Sequence, residues 1–215
     1  MYAKRERSAA MSTTRQERER RGHAPDRLGP AEFAILGALA HRAIADGVHG
    51  YDLSRSFSEG ALAQIIRLEP GMLYHYLKKL ARADLITSRV ERQEGRPDRH
   101  VHMLTSQGQA ALTDWLTSPV RATREIRLDF LLKLYLSQLI DPALADSLVA
   151  DQHEVMRRLV DSLRSQATGI APDTPDAAFH RAVLDLRLSQ TRAALAWLES
   201  LASTTTRPAG GSPAK

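Results

Sequence analysis

The sequence predicts a mainly α protein with one small β-hairpin. Three observations point there. Apolar residues recur at helical spacing through most of positions 30–202. Only two short stretches, ITSRVERQ and HVHML, alternate or branch as strands do, and the turn-forming EGRPDR lies between them. Proline, threonine or aspartate stands where several helices would begin.

The elements follow in order. Pro30 suits a first helical position, where its missing N–H costs nothing, and Phe33, Ile35, Leu36 and Leu39 make an apolar helix to about His41. A loop with Gly47 and Gly50 is expected next. YDLSRSFSE reads as a short helix with Tyr51, Leu53 and Phe57 as its apolar set, closed by Gly60. ALAQIIRL reads as a loop or short helix. Pro70 starts a third helix, PGMLYHYLKKLARAD, whose Leu73, Leu77 and Leu80 fall on one face. The hairpin follows. Thr105 caps a fourth helix, SQGQAALTDWLTS, which Pro119 ends. REIRLDFLLKLYLSQLI is apolar almost all round and must be covered on more than one side. Asp141–Pro142 opens a long helix, Gly169 to Pro175 is a linker, and Asp176 to about Ala202 is the last helix.

The chain has 215 residues, 43% hydrophobic and 26% charged, in the range of a soluble globular protein. It has no cysteine, which excludes disulfide frameworks and thiolate metal sites and suits a cytoplasmic location. No apolar run reaches the roughly 20 residues that cross a bilayer, so no membrane partner is expected. The net charge of +5 is unevenly placed. Residues 1–27 hold eight Lys/Arg and four acids, whereas 28–202 hold 20 basic and 21 acidic residues. The organisation expected is a disordered basic tail over 1–27, a first domain over 28–118, a second, helical domain over 119–202 and a disordered tail over 203–215. The tail is either a solvated segment or an arm that follows a phosphate backbone, and Met11 is an alternative start to Met1.

Helix, helix, helix, strand, turn, strand is the order of a winged helix-turn-helix. A third helix with one apolar and one basic face can pack inward and still enter a major groove, which is roughly 12 Å wide. Opposite the leucines lie Tyr74, His75, Lys78, Lys79 and Arg82. The hairpin tip carries Arg92, Arg96 and Arg99, placed to reach a phosphate or the minor groove. Residues 70–105 carry seven Lys/Arg against four acids. These side chains, with Gly71 at the helix start, are the candidate contacts to double-stranded DNA.

The strings H49-G50-Y51-D52-L53, P70-G71-M72-L73-Y74-H75-Y76-L77-K78-K79-L80 and G95-R96-P97-D98-R99-H100-V101-H102-M103-L104-T105 resemble the PadR-type transcriptional regulators. The resemblance covers about 33–110. It implies a winged-helix repressor dimerised through C-terminal helices, with Tyr74 and Lys78 contacting DNA. Met72 stands where the family commonly has Ser, and His102 and Met103 where Tyr and Arg are common. The long C-terminal half resembles the larger subgroup of that family.

The apolar 124–140 helix and the last helix would bury each other across a two-fold axis, with Phe130, Leu131, Leu134, Tyr135, Phe179, Val183, Leu186 and Trp197 as the dimer contacts. A monomeric helical bundle is the alternative. Trp115, Tyr135, Phe179 and Trp197 serve either as core or as the lining of an effector pocket between the two halves. The resemblance implies small, often aromatic ligands. His100 and His102 alternate on one strand face, but no third ligand completes a metal set, so wing-surface histidines are expected and no cofactor. No P-loop, nucleophile elbow, dinucleotide fingerprint or zinc-protease motif is present, and no enzyme is expected. Two other classes stay open: a non-enzymatic dimeric protein-interaction module that uses the wing as its surface, and a non-specific architectural DNA binder.

Overall fold

The computed structural model describes residues 28–42, 47–93, 96–171 and 175–205, without the side chains of residues 42, 93, 96–98 and 203–205. Both expected tails therefore lie outside the described residues, apart from 203–205, which continue the last helix. The elements are α1 (Pro30–Arg42), β1 (Val48–His49), α2 (Gly50–Ser58), α3 (Ala61–Ile65), α4 (Pro70–Arg82), β2 (Ile86–Gln93), β3 (Arg96–Leu104), α5 (Ser106–Thr117), α6 (Leu131–Ile140), α7 (Pro142–Thr168) and α8 (Ala177–Thr205). This is a winged-helix fold followed by long helices.

Four of the helix starts follow from their first residues. Pro30 opens α1, Pro70 opens α4 and Pro142 opens α7, each where the missing N–H is already an orphan. Asp141 caps α7 by accepting from the Ala143 N–H at 3.0 Å, and the Thr105 hydroxyl caps α5 by accepting from the Gly108 N–H at 3.0 Å. Thr105 also donates to the Asp84 carbonyl at 2.7 Å, which ties the wing's exit to its entry.

The sheet has three antiparallel strands in the order β1-β3-β2. The expected hairpin is present but longer than expected: β3 begins at Arg96, so most of EGRPDR is strand. Its register runs from Ile86↔Leu104 to Gln93↔Arg96, with a shift between Glu91 and Gln93. Two residues expected in a loop, Val48 and His49, add β1, pairing with His102 and Val101. Gly50, also expected in that loop, is the first residue of α2.

Three buried clusters organise the chain, the smallest being Val160, Leu163 and Leu188 between α7 and α8. The first joins α1 through α5: Ile35, Leu36 and Leu39 meet Leu53, Phe57, Leu73, Leu77, Leu80, Ile86, Leu112 and Leu116. Tyr51 is not part of it. It is 75% exposed, because at the first turn of α2 it faces away from Leu53 and Phe57. The second core lies between α6, α7 and α8 and gathers Val120, Phe130, Leu134, Leu148, Met156 and Leu198.

The 124–140 segment departs from one continuous α-helix. Thr123–Glu125 is a 3₁₀ turn, Ile126–Phe130 a π turn, and only Leu131–Ile140 is α-helix. Its apolar girdle is covered, as its composition demands, but by its own chain. Leu132 and Leu136 enter the first core, while Phe130 and Leu134 enter the second. Phe130 and Leu134, expected at a dimer face, are thus enclosed within one chain, and Leu131 and Tyr135 are half-buried there. Trp197 also turns inward, edge-on to Phe130 with ring centroids 6.0 Å apart. Phe179, Val183 and Leu186 behave differently, being 69%, 38% and 59% exposed on α8.

Candidate nucleic-acid interface

Helix α4 is held by its buried Leu73, Leu77 and Leu80, which present its opposite side to solvent. Helical spacing puts Gly71, His75, Lys78 and Arg82 on one outward stripe, and all four are exposed. Among the described residues no ion-pair partner is found for Lys78 or Arg82. A Cβ added at Gly71 would meet nothing within 4 Å, so the start of the helix is open to close approach.

Lys79 does not belong to that stripe. It sits one step round, towards α1, and its ammonium lies 2.9 Å from the Glu32 carboxylate. Glu32 is buried, and its other oxygen accepts from the Gly29 N–H at 2.6 Å at the entry to α1. The pair fastens α4 to α1 and neutralises a cation expected to face DNA.

Tyr74 flanks the stripe and is 44% exposed. It stands over Gly50: a Cβ there would lie 3.3 Å from both Cε1 and Oη of Tyr74 and 3.6 Å from Nε2 of His102. Gly50 is needed for this close approach, which seats the ring against the base of the wing. His102, expected on the wing surface, is buried under it, with Nδ1 2.8 Å from the Ser88 hydroxyl. Burial, helped by neighbouring His100, holds its pKa below the ordinary histidine value. No group of three metal-ligating side chains occurs among the described residues.

The wing brings Arg92 and Arg99 to solvent near its tip, whereas the Arg96 side chain lies outside the described residues. Arg89, further down β2, pairs with Glu91 at 3.0 Å.

Beside α4 runs a groove of about 1500 Å³, open along one side. One wall carries His75, Lys78 and Arg82; the other carries Trp115, Asp129 and Lys133. Trp115 is the only one of the four aromatics expected at an effector pocket that lines it. Its ring stacks on Phe33 of α1 at 4.5 Å, with planes 6° apart. Lys133 lies across that ring, its ammonium 4.7 Å from the centroid. The ammonium donates to the Trp115 carbonyl at 2.6 Å and to the Ser118 carbonyl, satisfying the end of α5. Burial lowers its pKa to about 8 despite Asp129 and Glu125 nearby. Burial likewise raises the Asp129 carboxyl, with Glu125 adding repulsion.

Lys133, Glu32 and Gln152 escaped the sequence reading. Gln152 is buried and pairs with both sides of the Val120 backbone, accepting from its N–H at 2.8 Å and donating to its carbonyl at 2.9 Å. The one signal in the sequence was Lys133 itself, the lone lysine within the apolar run LDFLLKLYL.

Residues 39–114 match the model of the transcriptional regulator PadR-like family, and residues 126–205 match the model described as virulence activator alpha C-term. The chain is 27% identical over 177 residues to the negative transcriptional regulator PadR of Bacillus subtilis (strain 168), covering 79% of this chain and 94% of that protein. Among solved structures, Bacillus subtilis PadR in complex with operator DNA is 28% identical, with a TM-score of 0.39, over 80% of this chain and 97% of the other. Bacillus subtilis PadR in complex with p-coumaric acid is 26% identical, with a TM-score of 0.35, over 86% and 99%.

Proposed function

We propose, for a chain that belongs to the PadR-like family of transcriptional regulators, that it represses transcription as a homodimer on an inverted-repeat operator and is released by a small ligand. A transcriptional regulator is not an enzyme class, and no catalytic chemistry is assigned. The observation that carries DNA binding is the outward stripe of α4. Gly71, His75, Lys78 and Arg82 are exposed together on the helix that follows the turn. A helix N-terminus of this kind offers N–H groups and a positive dipole end to phosphate, and its first turns reach base edges. Tyr74, seated on Gly50, flanks the stripe, while Arg92, Arg96 and Arg99 of the wing supply phosphate contacts. Lys79 is left out of this reading, because Glu32 already holds it.

The repressive sense is supported by the relative described as a negative transcriptional regulator. The description of the C-terminal match favours activation instead. A reporter behind the chain's own upstream DNA separates the two, by whether deleting the gene raises or lowers its output. Homodimerisation is supported by the exposed Phe179, Val183 and Leu186 on α8. Release by a ligand is supported by the groove beside Trp115, which touches α4 on one side and the C-terminal helices on the other.

The direct test begins with duplexes selected from a randomised pool. Lys78→Ala should weaken binding to the selected duplex by about tenfold and reduce the salt slope by about 1 if Lys78 meets one phosphate. Binding and salt slope both unchanged would overturn this choice of DNA face.

A further inference from the structure

We infer that Met72 reads the methyl group of a thymine in the major groove. The inference rests on α4 being the DNA-reading helix, and goes beyond it by assigning a residue and a base feature. Large exposed apolar side chains among the described residues gather in few places: Phe179, Val183 and Leu186 on α8, Val90 and Met103 on the wing, and Tyr51, Met72 and Tyr74 around the start of α2 and α4. Met72 is 47% exposed and belongs to none of the core clusters.

Its position directs it outward. Met72 is the third residue of α4, in the first turn. Helical side chains lean towards the N-terminus, so its thioether projects past the leading end of the helix. Gly71 beside it has open space around its missing Cβ, so nothing keeps that end from a base edge. A thioether has no N–H or O–H to offer a phosphate and gains mainly from apolar contact. In the major groove the apolar feature that distinguishes one base is the thymine C5-methyl. A protein partner would need a contiguous apolar patch. Round the helix Met72 instead neighbours Gly71, His75 and the half-buried Tyr76, while Tyr74, the other exposed apolar residue of α4, lies on nearly the opposite side.

The test uses the full chain. Duplexes are selected from a randomised pool by the wild type and by Met72→Ser. Each thymine of the selected site is then replaced in turn by deoxyuridine, which removes only the methyl. The wild type should lose about fourfold affinity at one thymine per half-site, the worth of one buried methyl-sized group. Met72→Ser should be indifferent at that position, and Met72→Leu should keep the penalty. Met72 is exposed, so neither change should alter thermal unfolding. An unchanged deoxyuridine profile in Met72→Ser, or no thymine-methyl dependence at all, overturns this inference and leaves the DNA-binding reading standing. Failure of the wild type to enrich any duplex overturns the DNA-binding reading, and this inference with it.

Discussion

Replacing Phe179 and Leu186 together by alanine should dissociate the proposed dimer without unfolding the chain. Full burial of a Phe or Leu side chain contributes about 1.5–3 kcal/mol. Phe179 is 69% and Leu186 59% exposed in the single chain, so docking would bury the remainder, about 1–2 kcal/mol each. A two-fold contact uses each residue twice, giving about 4–8 kcal/mol per dimer. At 1.4 kcal/mol per tenfold, the dimer constant should weaken by about three to six powers of ten, an upper range because alanine keeps some apolar surface. Both positions lie within the helix α8, where alanine is a good helix former, so helical content should hold. Sedimentation at several concentrations reads the association, and circular dichroism on the same samples reads the fold. A double variant that associates within tenfold of the wild type, with its helices intact, refutes the assignment of this face.

Other expectations follow from single sites. Gly71→Ala should leave stability unchanged or raise it by about 0.5–1 kcal/mol, since its Cβ meets nothing, yet weaken duplex binding severalfold; undiminished binding would show that DNA does not approach that end. Gly108→Ala drives a Cβ into the Leu85 carbonyl and should cost about 1–3 kcal/mol in denaturant unfolding, and a loss within error would mean the α5–wing contact yields freely. Lys133 carries a pKa of about 8 against an ordinary 10.5, so the unfolded chain binds the extra proton between those values and stability rises with pH across that window. Measured against Lys133→Met, the wild type should gain on the order of 1–3 kcal/mol from pH 8 to 10.5; a constant difference would contradict the burial of that ammonium.

The helices were legible because their signals are local. Pro30, Pro70, Thr105 and Asp141–Pro142 mark starts by their own chemistry, and the Leu73/Leu77/Leu80 face needs only periodicity. Strand β1 was hidden because Val48 and His49 are two residues whose partners lie more than fifty positions away. Lys79 was misplaced for the same reason. Spacing puts it near Lys78, and only the fold brings Glu32 to it. Tyr51 was placed with Leu53 and Phe57 in one apolar set, although one helical step decides which way it faces. The apolar girdle of 126–139 rightly demanded several neighbours, but composition cannot say whether those neighbours belong to the same chain. Phe130 and Leu134 find theirs in α7 and α8. On α8 the expected stripe of Phe179, Val183, Leu186 and Trp197 divides: the first three are exposed, while Trp197 turns in to Phe130.

Helix α6 gives Leu132 and Leu136 to the core of the winged helix, and Gly37 of α1 lacks the side chain that would collide with Leu136. A cut after Pro119 would therefore not release a ready-made DNA-binding module. It would open the floor of that module beneath Ile35 and Leu39 and leave apolar surface in water. Keeping α6 does not by itself cure this, because a cut after Ile140 would bare Phe130 and Leu134, whose cover comes from α7 and α8.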